Sequence, residues 1–209
     1  MTDHDHDGHN HDHGEENDHS HEHSGHGHGD DEGDDHGHHD HHHHDVDTVG
    51  YGIVTVSSSR SLDDDPAGDA IAAAAETAGG EVVVRNLVPD DYDKVQAEIH
   101  NLVGRGDVDV VVTTGGTGVT PDDVTVEAAN PLFEKELPGF GELFRQLSYD
   151  EIGTKVVGTR AVAGVADGVP VFCLPGSENA ARLGIEEIIV HEASHLAGLA
   201  GREEDESEE

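Results

Sequence analysis

Positively charged residues are scarce in this chain. Its 209 residues include 10 Lys and Arg against 47 Asp and Glu, and the formal net charge at pH 7 is −37. The three lysines are Lys94, Lys135 and Lys155. Because a nucleic-acid partner requires cationic side chains that neutralise phosphates, this composition argues against nucleic-acid binding.

Cysteine and long apolar segments are also nearly absent. The single cysteine, Cys173, excludes a disulfide within the chain, and its apolar neighbours predict a small buried side chain. No apolar stretch reaches transmembrane length, and the N-terminus lacks the apolar core of a signal peptide. We therefore expect a soluble cytoplasmic protein with no membrane partner.

Residues 1–45 differ in composition from the rest of the chain. They contain 17 of the 20 His and 15 Asp or Glu, with no Lys or Arg. Since they offer almost no apolar surface to offset the entropy of ordering, we predict a disordered tail. Residues 46–201 have the length of one domain with a core, and residues 202–209 form a short acidic tail.

The histidines of the tail suit divalent transition metals. Neutral imidazoles and carboxylates are ligands for Ni²⁺ and Zn²⁺, and the irregular spacing predicts several weak sites, for example at His41, His42, His43 and His44. An acidic solubility tail and a purification tag are the alternatives. The longest run is only four His, which speaks against a tag. A physiological role in metal storage or delivery stays open.

Residues 46–201 alternate apolar strands with helices. Strands are predicted at 51–56, 81–88, 108–113, 159–165 and 169–174, and helices at 69–78, 91–104, 124–130, 138–149 and 178–191. Continuous valine-rich strands between helices indicate a mostly parallel sheet that is covered on both faces. The fold class is therefore α/β, a three-layer α/β/α arrangement.

A glycine-rich turn follows the strand that ends near Thr113. Gly115, Gly116 and Gly118 let an anion approach backbone N–H groups, and the helix after Asp123 adds its positive end. The turn is not a Walker A loop, because no Lys-Ser or Lys-Thr follows the glycines. It is a candidate phosphate cradle. The simpler alternative is a tight turn with an aspartate helix cap.

Four loops are expected at the carboxyl ends of the strands, where ligands bind in open α/β sheets. They span residues 57–65, 89–91, 114–123 and 175–177, and they contain hydroxyls, glycine amides and carboxylates but no His, Lys or Cys. This excludes a thiol nucleophile and makes a histidine base improbable. Phosphoryl or nucleotidyl transfer, with carboxylates that hold Mg²⁺, agrees better with these residues.

The order of several motifs resembles the MoaB/MogA family of molybdopterin-binding proteins. The matching segments are residues 114–118 (TGGTG), 123–125 (DVT), 136–142 (ELPGFGE), 147–153 (LSYDEIG), 160–165 (RAVAGV) and 174–177 (LPGS). They cover most of residues 49–195, and the LSYDEIG segment is similar to the MoaB branch.

The resemblance implies a role in molybdenum cofactor synthesis. It implies a homotrimer or homohexamer that binds molybdopterin, adenylylates it with Mg-ATP, and passes it to a partner protein for metal insertion. The non-catalytic alternatives are a molybdopterin carrier and a metal-buffering protein that works mainly through its tail.

The resemblance also assigns residues. Asp90 and Asp123 match the family's acidic pair, which would hold Mg²⁺ or orient the attacking phosphate. Thr114, Gly115, Gly116, Thr117 and Gly118 would cradle phosphate, and Pro175, Gly176 and Ser177 would contribute to the pterin pocket.

Simpler roles stay open for several of these residues. Asp90 is also explained as a turn residue or helix cap, and Asp123 as a helix N-cap. Arg160 either reaches a ligand or braces a subunit contact. Glu178 stands where many relatives have proline, and its charge near a phosphate site would weaken binding unless salt screens it.

The charge of the domain predicts a salt-dependent fold. Without the fifteen carboxylates of the tail, an excess of 22 negative charges remains on residues 46–209. Molar salt reduces the Debye length to about 3 Å and screens this repulsion, which indicates a halophile. The Tm should therefore rise steeply from dilute buffer to molar KCl. A constant Tm over that range would contradict the halophilic interpretation.

Overall fold

The computed structural model describes residues 45–201. The strands are β1 Gly50–Val56, β2 Glu81–Val88, β3 Val110–Thr114, β4 Lys135–Glu136, β5 Val162–Ala166 and β6 Val169–Leu174. The helices are α1 Pro66–Thr77, α2 Tyr92–Val103, α3 Thr125–Ala129, α4 Pro138–Ile152, α5 Glu178–Gly184 and α6 Val190–Ala200. A π-helical turn, Ile185–Ile189, joins α5 to α6. The predicted metal-binding tail, with His41 to His44, and the predicted acidic segment 202–209 lie outside the described residues.

The strands form one six-stranded sheet with the order β2-β1-β3-β6-β5-β4. Strands β2, β1, β3 and β6 run parallel to one another, whereas β5 is antiparallel to β6 and β4 is antiparallel to β5. The carboxyl ends of β1, β3 and β6 therefore meet at the same edge of the sheet. The loops after these three strands form the candidate site.

Helices cover both faces of the sheet, which confirms the predicted three-layer α/β/α fold. Adjacent residues of β1 point to opposite cores, as Ile53 and Val54 show. Ile53 packs in the core under α1 and α4 to α6, and Val54 packs in the core under α2 and α3. Because the central strands are buried on both faces, their sequences are continuously apolar rather than alternating.

Some boundaries differ from the sequence prediction. Helix α1 begins at Pro66 rather than residue 69, because the Asp65 carboxylate caps the amide of Gly68 and proline is favourable in the first turn. Strand β5 begins at Val162 rather than residue 159, since a 3-10 helix, Gly153–Gly158, precedes it. The two-residue strand β4 was missed because it has no alternating pattern.

The buried Asp65 carboxylate connects β1, β2 and α1. Its side chain is 0% exposed. It accepts hydrogen bonds from the Thr55 hydroxyl at 2.5 Å, the Gly68 amide at 3.1 Å and the Arg85 guanidinium at 3.2 Å. Three donors from three elements thus satisfy one carboxylate that would otherwise be costly to bury.

Replacement of this carboxylate should destabilise the domain strongly. Asp65→Ala removes the α1 cap and leaves the Arg85 charge without its buried partner, so we expect a loss of about 3–5 kcal/mol. Asp69→Ala is the matched control, because Asp69 also pairs with Arg85 but is 64% exposed, and it should cost less than about 1 kcal/mol. Urea unfolding in molar KCl would measure both. Equal losses would contradict the role assigned to Asp65.

Candidate functional site

A cleft of about 520 Å³ opens at the carboxyl ends of β1, β3 and β6. Its walls come from three of the four predicted loops and from the segment before β5. The lining residues are Val56, Ser57, Ser59, Arg60, Gly115, Gly116, Thr117, Gly118, Asp123, Gly158, Thr159, Pro175, Gly176 and Ser177.

The glycine turn takes a conformation that only glycine adopts readily. Gly115 has φ +101° and Gly116 has φ +65°. A Cβ atom on Gly115 would overlap the Val56 carbonyl oxygen, and one on Gly116 would overlap the Thr125 hydroxyl. Both positive φ and close packing therefore require glycine here, and the turn lies directly against the end of β1.

Hydrogen bonds fix the turn to its neighbours. The Gly115 amide donates to the Leu174 carbonyl at 3.0 Å, and the Thr125 hydroxyl donates to the Gly115 carbonyl at 2.8 Å. The Thr114 hydroxyl donates to the Pro175 carbonyl at 3.0 Å. Thr114 is buried and is not part of the cleft wall. Its side chain ties β3 to the loop after β6, whereas the sequence prediction had placed it at the ligand.

Arg160 braces the turn from outside the cleft wall. Its Nε donates to the Gly118 carbonyl at 2.7 Å and to the Thr117 carbonyl at 3.3 Å, and its Nη2 donates to the Asp123 carbonyl at 3.3 Å. Both Nη atoms also bind the Glu127 carboxylate, at 2.5 and 3.2 Å. These hydrogen bonds from Arg160 lower the pKa of Glu127. The guanidinium therefore neutralises carbonyl dipoles of the turn.

Asp123 lies in the cleft wall and is ionised at neutral pH. Its Oδ2 accepts hydrogen bonds from the Thr120 amide at 2.8 Å and the Thr120 hydroxyl at 2.6 Å. Partial burial raises its pKa, but hydrogen bonds from Thr120 and Gly118 and the charge of Arg160 outweigh burial and leave the pKa lowered. The N-cap residue of α3 is Val124, without a side-chain cap, so the helix-cap explanation of Asp123 is wrong.

Asp90 supports the cleft from the neighbouring loop and does not line it. Its Oδ2 accepts a hydrogen bond from the Ser58 amide at 2.7 Å, and its own amide donates to the Ser58 hydroxyl at 3.1 Å. This pair anchors the loop after β1 to the end of β2. Asp91, rather than Asp90, caps α2. The structure therefore does not bring Asp90 and Asp123 together in one wall.

The loop after β6 separates the cleft from a second cavity. Pro175 and Ser177 line both, and the second cavity, of about 330 Å³, also has apolar walls from Phe144, Ile152 and Leu183. The Ser177 hydroxyl caps α5 by accepting a hydrogen bond from the Ala180 amide at 3.3 Å.

Glu178 does not line the cleft, where the sequence predicted a charge conflict with phosphate, but it does line the second cavity. Its carboxylate pairs with Arg182 at 3.1 Å, so an opposite charge is already in contact with it.

Arg60, Gly158 and Thr159 line the cleft, yet the sequence prediction gave them no binding role. Thr159 falls within the strand predicted at 159–165 and Gly158 directly precedes it, so the sequence did not indicate that either residue lies in a binding loop. Arg60 had a usable signal, because it is the one cationic residue in the four loops of an otherwise acidic chain.

Outside the cleft, the domain contains the single cysteine of the chain, Cys173, and it is buried. Burial raises the pKa of the Cys173 thiol to about 11, the opposite of an activated nucleophile. Across residues 45–201, no helix has the length and apolar character needed to cross a bilayer.

Comparison with known sequences identifies the family. The profile of a family described as "Probable molybdopterin binding domain" matches residues 52–195. Molybdenum cofactor biosynthesis protein B of Halalkalibacterium halodurans is 41% identical over 145 residues, which are 69% of this chain and 85% of that protein. The Escherichia coli protein of the same name is 44% identical over 137 residues, which are 66% of this chain and 81% of that protein.

Solved structures agree with the sequence comparison. A crystal structure of a molybdenum cofactor biosynthesis protein B has a TM-score of 0.72 and 39% identity, covering 75% of this chain and 98% of that one. The tungsten cofactor synthesizing protein MoaB from Pyrococcus furiosus has a TM-score of 0.68 and 41% identity, covering 75% and 99%. This chain belongs to the MoaB/MogA family of molybdenum cofactor biosynthesis proteins.

Loss of the Arg160 brace should loosen the glycine turn. Arg160→Gln removes charge-assisted hydrogen bonds to three carbonyls, each worth about 1.5–3 kcal/mol in typical proteins. We expect amide hydrogen exchange within residues 115–125 to accelerate at least about tenfold. Arg182→Gln is the control, because among the described residues Arg182 pairs with Glu178 of its own helix and with Glu186 of the following π-helical turn. Equal protection of the turn in both variants would refute the bracing role.

Proposed function

We propose that this protein binds molybdopterin in the cleft and adenylylates it with Mg-ATP before metal insertion. The observation that carries the proposal is the glycine turn, whose backbone lies open in a cleft beside the ionised Asp123. Membership of the family supports the ligand class, since relatives carry the name of molybdenum cofactor biosynthesis.

The turn supplies partners for phosphate oxygens. Several of its carbonyl oxygens are occupied by Arg160 and Thr125, which limits their repulsion of an anion. The backbone amide of Thr117 would then donate to a phosphate without steric hindrance from a side chain at Gly116, whereas the Gly118 amide is engaged by the Asp123 carboxylate. The second cavity, whose lining combines apolar side chains with the Glu151 and Glu178 carboxylates, would hold the pterin ring.

The carboxylates of Asp123 and Asp90 suit magnesium, although Asp123 lines the cleft and Asp90 does not. The hydrogen bonds from Thr120 to Asp123 and from Ser58 to Asp90 use Oδ2, and Oδ1 of each carboxylate would bind the cation. Within residues 45–201 no group of three or more His, Cys, Asp or Glu is arranged to hold a metal by itself. Mg²⁺ is commonly held by one or two carboxylates together with substrate phosphates and water, so Asp123 and a bound nucleotide would be enough.

The reaction requires two anions in one cleft. An oxygen of the terminal phosphate of molybdopterin forms a bond to the α-phosphorus of ATP, the α–β bridging bond breaks, and pyrophosphate leaves. Bound Mg²⁺ would neutralise charge on the leaving pyrophosphate. Asp123 would orient the cation from the wall, and Asp90 would keep the loop after β1 in position or contribute a second oxygen.

A non-catalytic carrier is the alternative. It would use the same cleft and the same turn but would not need the acidic pair. We also propose that the protein is cytoplasmic, assembles as a homotrimer or homohexamer, and delivers its product to a metal-inserting partner protein.

Adenylyl transfer should depend on the acidic pair. Incubation with molybdopterin and Mg-ATP in molar KCl should give adenylylated product, and Asp123→Asn or Asp90→Asn should reduce its rate at least about tenfold, or ~1.4 kcal/mol of transition-state stabilisation. Asp122→Asn is the control, because this exposed neighbour of Asp123 does not line the cleft.

Each outcome separates the candidate functions. Full activity in both variants would remove Asp90 and Asp123 from the mechanism. Tight molybdopterin binding by the wild-type protein without any adenylylated product would favour the carrier.

We further propose that the histidine-rich tail binds Ni²⁺ or Zn²⁺ independently of the domain. A truncated protein starting at Val46 keeps the hydrogen bonds between Val46 and Ser194, at 2.8 and 3.4 Å. It should therefore fold, oligomerise and bind molybdopterin like the full chain, yet lose most metal binding. Full-length protein should release the metals as pH falls through about 6, where imidazoles protonate.

Titration calorimetry of both proteins at two pH values measures this difference. Equal metal binding by the truncated protein would place the sites among His100, His191 and His195 of the domain. Loss of molybdopterin binding on truncation would instead make the tail part of the active site.

A further inference from the structure

Arg60 is the one cationic side chain among the residues that line the cleft in the described part of the chain. It follows β1 on a loop that is anchored at several points. The Ser57 amide donates to the Val88 carbonyl at 2.9 Å, the Arg60 amide donates to the Ser57 hydroxyl at 3.2 Å, and Asp90 holds Ser58. The backbone that carries Arg60 is thus held in place before any ligand binds.

The ion pair of Arg60 is loose. Its Nη1 lies 3.8 Å from Asp65 Oδ1, beyond hydrogen-bond distance, and the Arg60 side chain is 34% exposed. Asp65 is already satisfied by Thr55, Gly68 and Arg85. Arg60 is therefore attracted to a buried carboxylate that does not occupy its N–H donors.

Four of the six arginines in residues 45–201 donate to nearby carboxylates. Arg85, Arg105, Arg160 and Arg182 each donate to a carboxylate at 2.8 Å or less. In contrast, no hydrogen bond joins the Arg60 guanidinium to another residue within 45–201. Arg145, on α4, also makes no such bond within residues 45–201, so the feature that distinguishes Arg60 is its position in the wall of the cleft. Its location in the cleft suggests that the missing acceptor is a ligand.

We infer that the Arg60 guanidinium binds a phosphate group of the substrate, opposite the amides of the glycine turn. The inference rests on the proposed function, since it requires a phosphate in this cleft. A planar guanidinium offers paired N–H donors that match two phosphate oxygens. Asp65 keeps the side chain on the cleft side without competing for those donors. The phosphate belongs either to ATP or to molybdopterin.

The test is titration calorimetry of the full-length protein in molar KCl, with the same KCl concentration in every titration. The probes are Mg-ATP, pyrophosphate and molybdopterin, each titrated into wild type, Arg60→Gln and Arg60→Lys. Arg105→Gln is the matched control, because Arg105 pairs with Asp107 before β3, away from the cleft.

We expect Arg60→Gln to weaken at least one probe by about tenfold or more, the usual effect of losing charge-assisted hydrogen bonds. Weaker Mg-ATP and pyrophosphate binding would assign Arg60 to the nucleotide, and weaker molybdopterin binding alone would assign it to the pterin phosphate. Arg60→Lys keeps the charge but loses the paired donors, so it should weaken the same probe by about threefold or more. Arg105→Gln should match the wild type.

Arg60→Gln should fold, because Asp65 retains three donors, and its Tm should show this. If Arg60→Gln does not fold, the test rests on Arg60→Lys. Unchanged affinity of Arg60→Lys for all three probes would then overturn the inference. Unchanged affinity of a folded Arg60→Gln for all probes would overturn the role of Arg60 and leave the proposed function intact. Failure of wild type to bind any probe would overturn both.

Discussion

The contact between the Gly115–Gly116 backbone and the end of β1 determines the geometry of the cleft. A side chain at Gly115 would overlap the Val56 carbonyl, and a Cβ on Gly176 would lie 3.1 Å from the Gly115 Cα. Because these positions carry no side chain, the ends of β1, β3 and β6 converge closely. The backbone of the turn then lines the cleft, where longer side chains would otherwise cover it.

Arg160 and Arg60 lie at the same edge of the sheet but have different electrostatic partners. Arg160 binds carbonyls of the turn and the Glu127 carboxylate, so its N–H donors stabilise the turn and are not available to a ligand. Arg60 is only loosely paired with Asp65 and faces the cleft. The distinction follows from their partners rather than their exposure, since the side chains are similarly exposed, at 34% for Arg60 and 32% for Arg160. Sequence alone does not separate these roles.

The sequence predicted the fold well because the buried strands are continuously apolar and the helix ends carry glycine and aspartate signals. The helix predicted to end at residue 78 ends at Thr77, and Gly79 follows its C-cap with φ +89°. The site was predicted less completely. Motif order located the turn and Asp123, but the placement of Asp90 behind Ser58 and of Thr114 behind Pro175 depends on tertiary hydrogen bonds. Such long-range partners leave no periodic or local pattern in the sequence.

The acidity of the domain constrains how an anion can be recognised. In dilute buffer the negative excess would repel phosphates over long distances, whereas in molar salt the Debye length falls to about 3 Å. That length is close to the hydrogen-bond distances of this edge, such as 2.7 Å from Arg160 to Gly118. Salt that removes long-range repulsion therefore also removes long-range attraction. Affinity must then come from direct contacts, which favours a preformed turn of amides and one well-placed guanidinium over a broad basic surface.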